Sequence, residues 1–206
     1  MSKGHFITFE GIDGSGKSTQ ARLLFEHLTN TGRNVILTRE PGGSAGAEVI
    51  RRLLVEGDAD RWSPETEILL FTAARRDHLE KTIRPSLDRG ATVVSDRFAD
   101  STRVYQGAAR GELRDLVDTL HDAVIGIEPF LTFVIDMDPE IALARGLARR
   151  SGEDRFEEMG PVFQQRLQYG FRTLVEDWPD RCHLIDGAQS EEAVAADVAA
   201  IADALL

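Results

Sequence analysis

Cysteine, lysine and long apolar runs are all scarce in this chain, and each scarcity excludes something. Cys182 is the only cysteine, so no disulfide can form within the chain and a reducing, cytoplasmic setting is expected. Its place at the head of a short apolar stretch reads as a core thiol, not a nucleophile. No apolar run approaches the roughly 20 residues that cross a bilayer. The segment Met-Ser-Lys-Gly that precedes the first strand-like stretch leaves no room for a signal peptide. No membrane partner is therefore expected. Positive charge is in deficit: the net charge is −11, which argues against nucleic acid as the main partner. Only Lys3, Lys17 and Lys81 are lysines among 24 basic residues. The arginines that make up the rest can still build a local site for a small phosphate compound inside an acidic protein. The histidines are scattered, and none is assigned a catalytic role.

Against that background one segment stands out. Residues 5–19 read HFITFEGIDGSGKST, a short apolar strand running into Gly-x4-Gly-Lys-Ser. This is the pattern of a phosphate-binding loop, with the strand before it and an amphipathic helix after it as the motif requires. Gly11, Gly14 and Gly16 free the backbone, so that the segment Gly11, Ile12, Asp13, Gly14, Ser15, Gly16, Lys17, Ser18 and Thr19 can turn its N–H groups around a polyphosphate. Lys17 is placed to reach the β- and γ-phosphates, and the Ser18 hydroxyl to hold Mg²⁺. The positive end of the helix that begins near Lys17 adds to the anion site. A nucleoside triphosphate, with ATP the natural choice, is the expected ligand.

At 206 residues the chain suffices for one α/β domain and is short for two; residues 1–206 are expected to form one. Strand-like stretches at 5–9, 34–38, 91–95, 131–135 and 182–185 alternate with helix-like ones at 17–31, 45–56, 64–88, 112–124, 139–150, 161–177 and 191–205. Pro85 is expected to bend or end the third helix, and Asp138 to cap the helix that Pro139 opens. The strands are apolar without alternation, as in a parallel sheet buried on both faces. The order implies a P-loop NTPase-like, doubly wound sheet with helices on both sides. The third strand ends in VVSDR at 93–97. There Asp96 stands where such folds place a second Mg²⁺-organising carboxylate, and Arg97 can fork onto a phosphate. Taken alone, the pair could also seal a strand end as an ion pair; beside the phosphate loop the phosphate-site reading wins. Arg39, Arg51, Arg75, Arg97 and the group Arg149, Arg150 and Arg155 fall at loops or helix starts near the same sheet edge. Such a set suits a transferring phosphoryl group.

Five segments, FEGIDGSGKSTQ, TREPGG (38–43), FTAARRDH (71–78), DRFADSTRVYQG (96–107) and LTFVIDMDPE (131–140), resemble thymidylate kinases in order and spacing, from about residue 5 to 190. That resemblance implies phosphorylation of dTMP to dTDP with Mg-ATP, a step of dTTP synthesis, by a cytoplasmic homodimer with a five-stranded parallel sheet. By the same likeness Phe71 stacks on the pyrimidine, Arg75 donates to a base carbonyl, and Ser101, Thr102 and Gln106 read the remaining edge. Asp13 holds the sugar 3′-hydroxyl, and the ring of Tyr105 crowds the 2′ position. Arg39, Arg51 and Arg97 face the monophosphate, with Glu40 orienting them. Some members of the family carry an arginine in the loop after the acidic residue, where this chain has Gly14. The segment 144–158 resembles the arginine-bearing lid of the bacterial type, so Arg149 or Arg150 is expected to supply the missing charge. Since the acceptor phosphate is already anionic, no general base is needed. Two other readings share parts of the pattern. Another small nucleotide or nucleoside kinase would lack the pairing of TREPGG with STxxYQG. A GTPase-like switch should carry Asn-Lys-x-Asp, which is absent.

Overall fold

The computed structural model describes residues 4–58, 60–109, 112–148 and 159–206. Within them, five parallel strands stand in the order β2-β3-β1-β4-β5. They are β1 (Phe6–Glu10), β2 (Val35–Arg39), β3 (Thr92–Asp96), β4 (Leu131–Asp136) and β5 (Cys182–Asp186). The three inner strands are almost wholly buried, and the two edge strands only in part. This is why the inner strands read as unbroken apolar runs. Successive residues serve opposite faces of the sheet. Ile7, Phe9, Val94, Phe133 and Ile135 pack under α1 (Lys17–Asn30) and α9 (Glu191–Leu205) with Leu24, Leu28, Val194 and Val198. On the other face Phe6 and Val93 meet Leu79, Ile83 and Phe98, while Val134 meets Phe163, Leu167 and Phe171 of α8 (Pro161–Asp177). The chain lays β2 and β3 on one side of β1 and β4 and β5 on the other. The winding therefore reverses at β1, and the crevice above its carboxyl end is where such sheets bind ligands.

Helix starts follow their sequence signals. Ser63 accepts from the Thr66 N–H and opens α3 (Pro64–His78), and Ser190 accepts from the Ala193 N–H at the start of α9. Asp138 Oδ1 accepts from the Glu140 N–H at 2.8 Å and caps α7 (Pro139–Ala148), as expected. Two departures concern the widths of helices. The single helix expected over 64–88 is α3, then a π turn at Leu79–Ile83, then α4 (Arg84–Asp88). Pro85 lacks an N–H, and in a regular helix its ring would meet the carbonyl four residues back, at Lys81; widening the turn relieves both. The segment after Asp96 is assigned no element from sequence. It forms a short helix α5 (Ala99–Thr102) continued by π turns at Arg103–Ala109, before α6 (Arg114–Val124). Helix α2 (Ala45–Val55) packs on α3. Arg149, Arg150, Arg155 and most of 144–158 lie outside the described residues.

One backbone approach bears on the lid. A Cβ built at Gly14 would lie 1.8 Å from the carbonyl oxygen of Ala142, and Gly14 has φ +83°. The phosphate loop is thus seated against the first turns of α7, the helix that leads toward residue 149. No side chain fits at position 14 unless α7 moves, and an arginine there is excluded on the same ground.

Candidate active site

The loop between β1 and α1 has left-handed backbone at Gly11, Gly14 and Gly16. Helix α1 begins at Lys17 without a side-chain cap and without an acidic residue in its first turn, so its N–H groups stay available to an anion. Lys17 is buried and donates from Nζ to the Ile12 carbonyl at 2.7 Å. Burial, aided by the nearby Arg97 charge, lowers its pKa to about 8. Its ammonium also lies 3.9 Å from Asp13 Oδ1, a carboxylate it shares with Arg97, which leaves it able to take phosphate oxygens as well. Ser18 donates to Asp96 Oδ2 at 2.5 Å, while Asp96 Oδ1 is buried without a hydrogen-bond partner. A hydroxyl beside an open carboxylate oxygen fits a hard divalent cation. Among the described residues no cluster of three or more His, Cys, Asp or Glu could hold a metal. That suits Mg²⁺, which takes most of its ligands from phosphate and water.

Arg97 is the hub. It has φ +72°, a conformation that costs a residue with a side chain about 1–2 kcal/mol. Two bonds fix it there: its N–H donates to the Phe9 carbonyl at 2.9 Å, and its own carbonyl accepts from Ser95 Oγ at 2.8 Å. The guanidinium donates to Asp13 Oδ1 at 2.5 Å, Ser101 Oγ at 2.7 Å, Tyr105 Oη at 3.1 Å and the Gly11 carbonyl at 3.2 Å. Tyr105 in turn donates to Asp13 Oδ2 at 2.8 Å. Burial opposes the charge on Arg97, yet Tyr105 and the carboxylates of Asp13, Glu10 and Asp96 hold its pKa above the usual guanidinium value. Burial likewise opposes ionisation of Asp13, but Arg97 and Lys17 outweigh it and keep the carboxyl far below its usual range. Asp96 and Arg97, which could have been partners sealing a strand end, instead turn to Ser18 and Asp13.

A cleft of about 280 Å³ runs from Asp13, Gly14, Gly16, Lys17 and Ser18 to Arg39, Glu40, Arg51, Phe71, Arg75, Ser101, Thr102, Tyr105 and Gln106, with Asp96 and Arg97 on its wall. The cleft thus gathers the residues singled out for the acceptor with part of the phosphate loop; Gly11, Ile12, Ser15 and Thr19 do not line it. Thr102, at the end of α5, and Tyr105 and Gln106, three and four residues on in the π turns, all line it. Arg75 donates from Nε to Glu40 Oε2 at 2.7 Å and from Nη2 to the Phe98 carbonyl and Thr102 Oγ1, each at 3.0 Å. Among the described residues no hydrogen bond occupies its Nη1. Glu40 does not orient Arg39, Arg51 and Arg97 as expected; its carboxylate holds Arg75 and His78. Arg39 and Glu40 are consecutive at the end of an edge strand, so they leave on opposite sides. Arg39 is exposed, 3.5 Å from Glu48, and Arg51 donates to the Pro41 carbonyl at 2.5 Å. Gln106 donates to the buried Glu67 at 3.0 Å.

A second cavity of about 470 Å³ lies on the other side of the loop, lined by Gly14, Ser15, Gly16, Thr19, Gln20, Arg145 and the turn from Gly187 to Glu191. Ser15 Oγ and Gln20 Oε1 are buried there without partners. The turn after β5 carries no motif and was not anticipated.

A family model described as thymidylate kinase matches residues 9–198. The thymidylate kinase of Dinoroseobacter shibae is 71% identical over 96% of this chain and 95% of its own length. That of Jannaschia sp. is 66% identical, covering 92% of this chain and 91% of its own. A crystal structure of thymidylate kinase from Ehrlichia chaffeensis superposes with a TM-score of 0.78 at 39% identity, over 97% of this chain and 99% of that one. The chain belongs to the thymidylate kinase family. It is an enzyme of phosphoryl transfer on the P-loop fold.

One buried carboxylate beside the cleft has no mark in the sequence although it lies in the first motif. Glu10 ends β1, is fully buried, and accepts from the Phe98 N–H at 2.8 Å and Ser101 Oγ at 2.5 Å. Burial and the nearby Asp100 charge raise its pKa from 4.5 to about 7. Unfolded, Glu10 loses its proton near 4.5; folded, it keeps it until about 7. Between those values the folded chain binds more protons, so stability falls as pH rises and levels off above the window. Glu10→Gln removes this titration. Urea unfolding of ligand-free protein from about pH 5 to about pH 8 should show the variant gaining on the parent as pH rises. A difference that stays constant across that range contradicts the assignment.

Proposed function

We propose that the cleft holds dTMP against the phosphate loop, and that Lys17, Asp13, Arg97 and an arginine of the lid, Arg149 or Arg150, transfer the phosphoryl group. The carrying observation is that one continuous cleft joins the phosphate loop to Phe71, Arg75 and Gln106. The chain itself phosphorylates dTMP to dTDP with ATP and Mg²⁺, the reaction of its family.

In this reading Lys17 exchanges the Ile12 carbonyl for phosphate oxygens of ATP, and the donor nucleoside lies in the second cavity, near Ser15 and Gln20. Ser18 and Asp96 are the residues that would hold Mg²⁺, which would supply positive charge to the phosphates of ATP. Phe71 stacks on the pyrimidine, Arg75 offers Nη1 to a base oxygen, and Ser101, Thr102 and Gln106 complete the edge. The Tyr105 ring, packed edge-on against Phe163 and Phe171, is a rigid wall beside the sugar, and Asp13 takes the 3′-hydroxyl. Arg97, Arg51 and Arg39 meet the acceptor phosphate. Catalysis is positioning and charge neutralisation, and no residue acts as a base. Gly14 leaves the loop without an arginine, so the charge on the transferring group is met from the lid over 144–158. Residues 1–206 form one nucleoside monophosphate kinase domain. The substrates and the free, buried Cys182 support a cytoplasmic setting.

An ADP-release assay across dTMP, dUMP, UMP, CMP and dGMP tests this reading. We expect dTMP to be used best and Lys17→Ala to lower turnover about a thousandfold. In the same assay, at saturating substrates, alanine at 149 or 150 should lower kcat by at least tenfold while alanine at 155 changes it little. A best substrate other than dTMP, or an active Lys17→Ala enzyme, overturns it.

A homodimer is the second part of the proposal. Val49 and Leu53 lie one turn apart on α2 and are 55% and 38% exposed; Leu69, on the adjoining α3, is 56% exposed. These two helices also carry Arg51, Phe71 and Arg75, so a second copy seated on this face would brace the acceptor side of the cleft. Sedimentation velocity should show a dimer that Leu69→Glu converts to monomer; a dimer unaffected by that charge places the interface elsewhere.

A further inference from the structure

His78 has no part in the roles above, yet it is wholly buried and bonded on both nitrogens. Its Nε2 lies 2.7 Å from Thr38 Oγ1 and its Nδ1 3.0 Å from Glu40 Oε1. A carboxylate only accepts, so Nδ1 carries the proton and donates to Glu40, while Nε2 can accept from the threonine hydroxyl. The other oxygen of Glu40 takes Arg75 Nε at 2.7 Å. Arg75 and His78 are three residues apart on α3, hence on one face, and both close on the same carboxylate. The side chains of Arg75, Glu40 and His78 are 4%, 3% and 0% exposed. Space for the imidazole is kept by Gly43: a Cβ there would stand 2.3 Å from Nε2 and 2.5 Å from Thr38 Oγ1. Thr82 Oγ1 holds the Gly43 carbonyl at 2.7 Å. Thr38, Glu40 and Gly43 come from TREPGG, and Arg75 and His78 from FTAARRDH. The two motifs are therefore halves of one polar relay running from the edge of the sheet to the cleft.

We infer that His78 is a positioning residue for acceptor recognition: it fixes the Glu40 carboxylate, which fixes the guanidinium of Arg75 at the pyrimidine. A buried charge pair with one degree of freedom left open can rotate; the third bond, from His78, closes it. The relay acts on the base and not on the reacting phosphate, so its loss raises KM for dTMP and blurs the choice among pyrimidines, with kcat and the KM for ATP little changed. This rests on the reading that Arg75 contacts the acceptor base.

The test is steady-state kinetics with dTMP, dUMP and ATP varied in turn, on Arg75→Ala, His78→Leu, His78→Asn, Thr38→Val and the double variant Arg75→Ala/His78→Leu, with melting temperatures measured alongside. His78→Leu should raise KM for dTMP about tenfold. His78→Asn, whose amide N–H can replace Nδ1–H toward Glu40, should recover most of that loss. Thr38→Val should show a smaller change of the same kind. On the Arg75→Ala background, His78→Leu should add nothing. If Arg75→Ala leaves KM for dTMP unchanged, the base-contact reading itself fails. If Arg75→Ala raises KM but His78→Leu does not, or if the two losses multiply in the double variant, His78 has only a structural role and the inference is overturned. Should His78→Leu not fold, His78→Asn and Thr38→Val decide: unchanged KM and discrimination in His78→Asn with a raised KM in Thr38→Val supports the relay, and unchanged values in Thr38→Val reject it.

Discussion

The guanidinium of Arg97 ties together segments that are far apart in sequence: Gly11 and Asp13 of the phosphate loop, Ser101 of α5 and Tyr105 of the π turns. Its backbone sits in a conformation that disfavours a side chain, and bonds to Phe9 and Ser95 hold it there. The strain persists because the surroundings over-determine it. What it achieves is direction: the side chain leaves the end of β3 toward β1 instead of continuing along the sheet. Asp13 then has both oxygens occupied, and Tyr105 has its hydroxyl pinned between an arginine and a carboxylate. The donor and acceptor sides of the cleft share this one charge.

Around that hub the polar groups are buried but seldom idle. Glu40, Arg75, His78 and Thr38 form one chain on the acceptor side, and Glu10 collects the Phe98 N–H and the Ser101 hydroxyl beneath it. Buried polar networks of this kind are costly unless complete. The unpartnered buried atoms among the described residues include Asp96 Oδ1, Ser15 Oγ and Gln20 Oε1. All three border the phosphate loop or its two cavities, where ligands bring their own partners.

Much of this was legible in the sequence, and for physical reasons. Parallel strands buried on both faces leave continuous apolar runs, so β1, β3 and β4 could be placed within a residue. The glycines of the phosphate loop announce backbone that residues with a side chain rarely adopt. Gly14 could be recognised as the missing arginine, but not as the seat of α7, because that approach depends on where Ala142 comes to lie. The π turns at 79–83 and 103–109 were invisible, since a widened helix has no compositional mark beyond Pro85. Glu40 was expected to orient Arg39, Arg51 and Arg97, whereas its partners come from α3, thirty-odd residues on. His78 was set aside for the same reason: a lone histidine shows nothing of the two residues that grip it.

The account stands or falls on the fork of Arg97, and Arg97→Lys tests it most directly, since it keeps the charge and removes the planar set of donors. The quantity to measure is kcat/KM for dTMP at saturating Mg-ATP, with ATP affinity as the control. We predict a loss of about a hundredfold or more with ATP affinity within about threefold of the parent. A lysine enzyme within about threefold of the parent in kcat/KM would contradict it, showing that a positive charge suffices and that the bonds to Asp13, Ser101 and Tyr105 do not organise the site.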